Sequence, residues 1–162
     1  MGRKRFANIN CGVGQALEAV GDWWSLMIVR DAVFGIRRFS DFAQSLGVAK
    51  NILTTRLDHL VAHGIFEKVD VGSTGTHFEY QLTNKGEALL PVLIALREWS
   101  DKWVFGRGHE PIIIQDQRTG RRVPKMRVLA SDGRPLSPRD LRVVPGPGAS
   151  EDTIRRVRRS RQ

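Results

Sequence analysis

Cysteine is almost absent, since Cys11 is the only one in 162 residues. No intrachain disulfide can form, which excludes a secreted fold stapled by disulfides and leads us to expect a cytoplasmic protein. Long apolar runs are missing as well. No stretch approaches the roughly 18 uninterrupted apolar residues of a membrane span, so no membrane partner is expected. The basic start, MGRKRF, is not followed by an apolar run of secretory length, and Phe6 spoils a myristoylation match. There is no P-loop, dinucleotide fingerprint, GxSxG or HExxH, and no pair of carboxylates at a usable spacing. The expectation is therefore no enzyme, no cofactor and no metal. His59 and His63 stand four apart, a chelating spacing, but no third ligand is in view.

Net charge is missing from most of the chain. Up to Gln117, thirteen Lys/Arg meet thirteen Asp/Glu. From Arg118 to Gln162 there are thirteen Lys/Arg against four Asp/Glu, so the whole excess of +9 lies in the last quarter. A charge argument for nucleic acid therefore concerns the tail and not the body.

With 41% hydrophobic and 27% charged residues, the composition suits one main domain with an extension. Its most informative stretch is FSDFAQSLGVAKNILTTRLDHLVAHG, from Phe39 to Gly64. Gly47 splits it into two helical patterns. In the second, Val48, Ile52, Leu53, Leu57, Leu60 and Val61 recur at helical steps and mark a packed side. The other side carries Lys50, Asn51, Thr54, Thr55, Asp58 and His59, most of them side chains whose donors and acceptors match base edges and phosphate oxygens. The stretch reads as a helix-turn-helix with a DNA-reading helix, and a solvated surface helix would share the pattern.

Around it the chain reads as a helix over Val13–Val20 stopped by Gly21, then a strongly apolar helix, WWSLMIVRDAVFG, expected to be central, then a helix capped by Ser40 and running to Leu46. After Gly64 the period changes to that of strands. IFEKVDV and HFEYQL flank a five-residue loop, Gly72 to Thr76, which is a hairpin. Thr83 and Asn84 cap a further helix that should bend at Pro91. Past Phe105 come short β-like pieces joined at Thr119-Gly120 and Asp132-Gly133. The arginine-dense end, RRVRRSRQ, has little to bury and is expected to be disordered. The order of elements is that of a winged helix-turn-helix, in which the hairpin reaches flanking backbone.

Cys11 stands before the first helix, and Gly21-Asp22-Trp23-Trp24 between the first two. Ile28, Arg30 and Gly35-Ile36-Arg37-Arg38-Phe39 follow, then Ile52 to Leu57, Leu60, Gly64-Ile65, Tyr80-Gln81-Leu82-Thr83, Gly86, Leu90-Pro91-Val92-Leu93 and Trp99. In this order, from Cys11 to Trp99, they resemble the HxlR-type branch of bacterial winged-helix regulators, relatives of the MarR type. The resemblance implies a DNA-binding transcription regulator, expected to be a repressor, that meets a pseudo-palindromic duplex as a homodimer. It also implies dimerisation through the terminal helices of the domain, here through Val13, Leu17, Leu90, Leu93, Leu96, Trp99 and Trp103. Related regulators use a cysteine at the place of Cys11 as a redox switch, so an oxidant or a small molecule is the expected effector. A small apolar role for Cys11 under the first helix stays open.

Two departures stand out. Ala49 replaces the serine usual at the start of the recognition helix, and losing that cap costs about 1 kcal/mol. Longer members often carry Cys pairs before a similar PGPGA ending. Here Thr119-Gly120 and Ser131-Asp132-Gly133 occupy those places, so no structural zinc can be built.

The expected fold is thus mainly α with a small β hairpin (α+β). Residues 1–106 would form the winged helix-turn-helix, 107–149 a short β-rich extension and 150–162 a disordered basic tail. DNA contacts are expected from Lys50, Asn51, Thr54, Thr55, Arg56 and His59, from Arg37 and Arg38 before the helix pair, and from Ser73, Thr74, Thr76 and His77 at the wing tip. Arg56 could instead pack, and Arg37 and Arg38 could sit on a solvated loop. The basic end could serve as an accessory DNA arm or be only a solvated tail. The alternative function is a winged-helix module for protein or RNA contacts, with the basic tail as its surface.

Overall fold

A computed structural model describes Phe6, residues 8–72 and residues 78–159. The wing-tip residues Ser73, Thr74, Gly75, Thr76 and His77 lie outside the described residues, as do Arg3, Lys4 and Arg5. The described residues form two compact units: those up to Leu90 together with those from Val143 on, and Pro91–Arg142.

In the first unit, Cys11 is the extended residue before helix α1 (Gly12–Val20). Gly21 ends α1 because no side chain fits there: a Cβ would lie 2.3 Å from the Leu17 carbonyl oxygen. Asp22 then caps α2 (Trp23–Val33), its Oδ1 accepting the N–H groups of Trp24 and Ser25. As expected, α2 is central. Ile28 and Val29 are fully buried, and α2 touches α1, α3, α4 and the hairpin. Helix α3 (Phe39–Leu46) begins one residue before the expected cap, with Arg38 in the capping position and no side-chain bond there. Gly47, left-handed at φ 60°, closes α3 and sets up the turn into α4 (Lys50–Ala62).

Strands β1 (Phe66–Asp70) and β2 (Phe78–Leu82) pair antiparallel, with Phe66 opposite Leu82 and Asp70 opposite Phe78. Phe42 of α3 meets Phe66 edge-on, ring centroids 6.3 Å apart. Leu53, Leu57, Leu60, Ile65 and Tyr80 complete the core. Burying each of the three leucines contributes roughly 1.5–3 kcal/mol, which fixes the roll of α4 about its axis.

The long bent helix expected after Thr83 is two helices. Thr83 caps α5 (Asn84–Glu87) through Gly86 N–H, and the chain turns at Ala88 and Leu89 before α6 (Leu90–Ser100). Pro91 therefore falls in the first turn of α6, where its missing N–H costs nothing, so the chain breaks rather than bends.

Most of α6 belongs to the second unit, where it runs into a π-helical turn, Asp101–Phe105. Beyond it, the expected β-rich extension has two isolated bridges, Gln115–Arg122 and Leu129–Pro135, and no strand among the described residues. Prolines at 111, 124, 135 and 138 remove ladder donors at short intervals. The two turns do fall where expected. Asp116 Oδ1 accepts the N–H groups of Arg118 and Thr119, Asp132 Oδ1 accepts that of Arg134, and Gly120 and Gly133 are left-handed. Side-chain oxygens thus close both turns. Glu98 of α6 accepts Met126 N–H at 3.0 Å, tying the second turn region to the helix.

The arginine-dense end corrects a further expectation. Glu151–Arg159 is a helix, α7, not a disordered tail.

Candidate nucleic-acid interface

Helix α4 has one side locked and one side free. Opposite its buried leucines, Lys50, Asn51, Thr54, Thr55 and Asp58 are exposed. The Thr54 hydroxyl donates to the Lys50 carbonyl and that of Thr55 to the Asn51 carbonyl, both at 2.9 Å. These bonds hold the hydroxyl oxygens against the helix, leaving lone pairs to accept and methyl groups to touch a base. Ala49 offers no side-chain cap. The N–H groups of the first turn stay open beside Lys50, a local positive end at the tip that would approach a groove. One cation and one carboxylate, Lys50 and Asp58, make the free face nearly neutral.

Two expected contact residues point elsewhere. His59 is half-buried, with Nε2 at 3.1 Å from the Ala19 carbonyl and 3.2 Å from that of Glu18. A ring N–H there donates to the last carbonyls of α1, so in this arrangement His59 caps α1 and turns away from the free face of α4. His63 Nδ1 pairs with the His59 carbonyl at 2.9 Å. Arg56 turns back as well, with Nη2 at 2.8 Å from Asp22 Oδ2. Because Asp22 also caps α2, this one carboxylate fastens α4 to the central helix. The sequence signal for this cap is an Asp directly before an apolar helix.

Arg37 and Arg38 are exposed on the loop before α3. The loop is pinned to the hairpin, since Tyr80 N–H donates to the Arg37 carbonyl at 2.8 Å and Arg38 Nε lies 3.5 Å from Glu79 Oε1. An open groove of about 490 Å³ runs here, lined by Arg38, Phe39, Ser40, Val71 and Phe78. It could seat a sugar-phosphate strand between the helix pair and the wing root. Lys68 folds over the Phe78 ring at 4.3 Å. Burial first, and the Asp58 charge second, raise the Tyr80 hydroxyl above its ordinary pKa.

The Cys11 thiol is exposed. An open groove of about 460 Å³ surrounds it, lined by Asn8, Ile9, Asn10, Gly12 and Gln15. The apolar residues expected at a dimer contact stay uncovered in both units. Val13 and Leu17 are exposed on α1, as are Leu90, Leu96 and Trp99 on α6 and Trp103 beyond it, while Leu93 is half-buried. Among the described residues no helix is long and apolar enough to cross a membrane.

Residues 19–107 match the HxlR-like helix-turn-helix family. An HTH-type transcriptional regulator of Mycobacterium tuberculosis, Rv3095, is 35% identical over 136 residues, covering 84% of this chain and 86% of its own. Among solved structures, the candidate transcription factor PA1607 is 43% identical with a TM-score of 0.79, over 85% of this chain and 96% of that one. The redox regulator HypR, in its reduced form, is 26% identical with a TM-score of 0.52, over 56% of this chain and 90% of that one.

Proposed function

This chain belongs to the HxlR-like helix-turn-helix family, and on that premise we propose that it is a dimeric transcriptional repressor that reads a pseudo-palindromic operator in the cytoplasm. It acts by occupying duplex DNA, not by catalysis. The observation that carries the reading is the two-sidedness of α4. Leu53, Leu57, Leu60, Arg56 and His59 fasten one side to the domain, while Lys50, Asn51, Thr54 and Thr55 stand free on the other. A helix held this firmly presents its free side chains in one register, which base reading requires. Arg37, Arg38 and the wing-tip residues Ser73, Thr74, Thr76 and His77 would hold adjacent backbone. Dimerisation through α1 and α6 is supported by the uncovered Val13 and Leu17 on α1 and by the uncovered Leu90, Leu96, Trp99 and Trp103, with Leu93 half-buried.

Selection of bound duplexes from a random pool tests this directly. Two half-sites about one helical turn, some 34 Å, apart or a multiple of it are expected. Recovery of no preferred sequence would end the reading and favour a protein- or RNA-binding module.

An oxidant effector acting at Cys11 is supported by the exposed thiol and by the likeness to a redox regulator. A hydroperoxide would transfer one oxygen to the thiolate, leaving a sulfenic acid and releasing an alcohol or water. Wild-type protein should lose operator binding on peroxide treatment and a Cys11→Ser variant should keep it. Equal loss in both would place the switch elsewhere.

A further inference from the structure

Helix α7 is anchored at its start by one distant residue, Asn10. The Asn10 Nδ2 donates to the Gly148 carbonyl at 3.1 Å, and its Oδ1 accepts Ser150 N–H at 3.0 Å. The Thr153 hydroxyl lies 3.0 Å from both Asn10 Oδ1 and the Asn10 carbonyl, so its single proton goes to one of the two. Ser150 Oγ accepts Thr153 N–H at 3.2 Å and closes the first turn. Thr153, Ile154 and Val157 form a half-buried stripe, leaving Arg155, Arg156, Arg158 and Arg159 exposed. Arg155 pairs with Glu151 and Asp152. Arg156, Arg158 and Arg159 have no acidic partner among the described residues.

Three uncompensated guanidinium groups in little more than one turn repel one another, and a ligand with closely spaced negative charge relieves that repulsion. We propose that α7 is a positioned arm, fastened to the fold at Asn10, that grips the phosphate backbone of duplex DNA. This rests on the DNA-reading function proposed above. Charge complementarity chooses the occupant. The chain is neutral through Gln117 and the free face of α4 is nearly so, whereas a duplex carries one negative charge per roughly 1.7 Å. Guanidinium forks meet phosphate oxygens two at a time without requiring any base sequence. The Asn10 latch makes the arm a fixed element of the fold and not a loose polycation.

Three full-length proteins test it on a duplex carrying the selected operator with flanking base pairs: wild type, Arg156→Gln/Arg158→Gln/Arg159→Gln, and Asn10→Ala, each matched for folding by thermal melt. The triple variant should bind at least about tenfold more weakly near 0.1 M salt, with the slope of log K against log salt shallower by about 0.9 for each phosphate lost. Its ranking of operator sequences should stay unchanged. Asn10→Ala keeps every charge but frees the helix, so it should lose at least about threefold in affinity together with flank protection in a hydroxyl-radical footprint. A triple variant that matches wild type in affinity and slope overturns the arm. So does a triple variant that keeps DNA but no longer binds poly-glutamate, which moves the partner to an acidic protein. An Asn10→Ala protein identical to wild type overturns the positioning. A failed operator selection strikes the proposed function instead, before the arm is tested.

Discussion

Helices α4 and α7 both turn polar faces outward, and their chemistry is opposite. The free face of α4 carries an amide, two hydroxyls and one cation balanced by Asp58, while α7 exposes four arginines and only its first turn is acidic. Amides and hydroxyls discriminate between base edges at close range and add little long-range attraction. Guanidinium groups attract any phosphate and discriminate little. On the proposed reading, choice of sequence and strength of binding would therefore belong to different ends of the chain. The two helices also differ in how they are held, α4 by fully buried leucines with two polar tethers and α7 by a half-buried stripe with hydrogen bonds to Asn10 at its start.

The largest effect should come from the hidden side of α4. Replacing fully buried Leu57 with Ala should cost about 2–5 kcal/mol of stability in denaturant unfolding, while the protein that remains folded keeps the same operator preference. On the free side, Asn51→Ala should leave the unfolding midpoint unchanged and remove about 1–3 kcal/mol of discrimination between operator and a single mismatched pair. A change of stability without a change of discrimination would erase the contrast between the two sides. His59→Gln should show the tether as a tether, losing about 1 kcal/mol of stability and no discrimination. If discrimination fell instead, the ring would have to leave α1 on binding DNA.

The smallest effect concerns alkaline pH. The Tyr80 pKa is raised in the fold above its ordinary value of about 10. Its contribution to stability is then complete below about pH 10 and lost as pH rises through the folded pKa. Tyr80→Phe should flatten that part of a melting curve measured against pH, and an unchanged profile would show that other groups dominate it.

The helix pair was legible because its marks are local: a left-handed glycine between two amphipathic patterns and a change of period at the hairpin. Periodicity also separated the buried leucines of α4 from its polar side. It could not show which polar residues face a neighbour, so His59 reads like Asn51 although it reaches Ala19, and Arg56 stays open between phosphate and packing although it reaches Asp22. A single apolar pattern runs across Pro91 and suggests a bend, whereas the capped turn from Thr83 to Leu89 already ends one helix. The tail read as disordered because its own residues bury little. Bonds to Asn10, 140 positions from Ser150, help to hold it, and no local window contains them.

The division between choice and strength is tested most directly by operator binding across a range of salt concentrations for wild type, Asn51→Ala and the arginine triple variant. The account predicts that Asn51→Ala shifts the line of log K against log salt downward without changing its slope and weakens preference for the operator. The triple variant should flatten the slope and keep the preference. A flattened slope in Asn51→Ala, or an altered preference with unchanged slope in the triple variant, would contradict it.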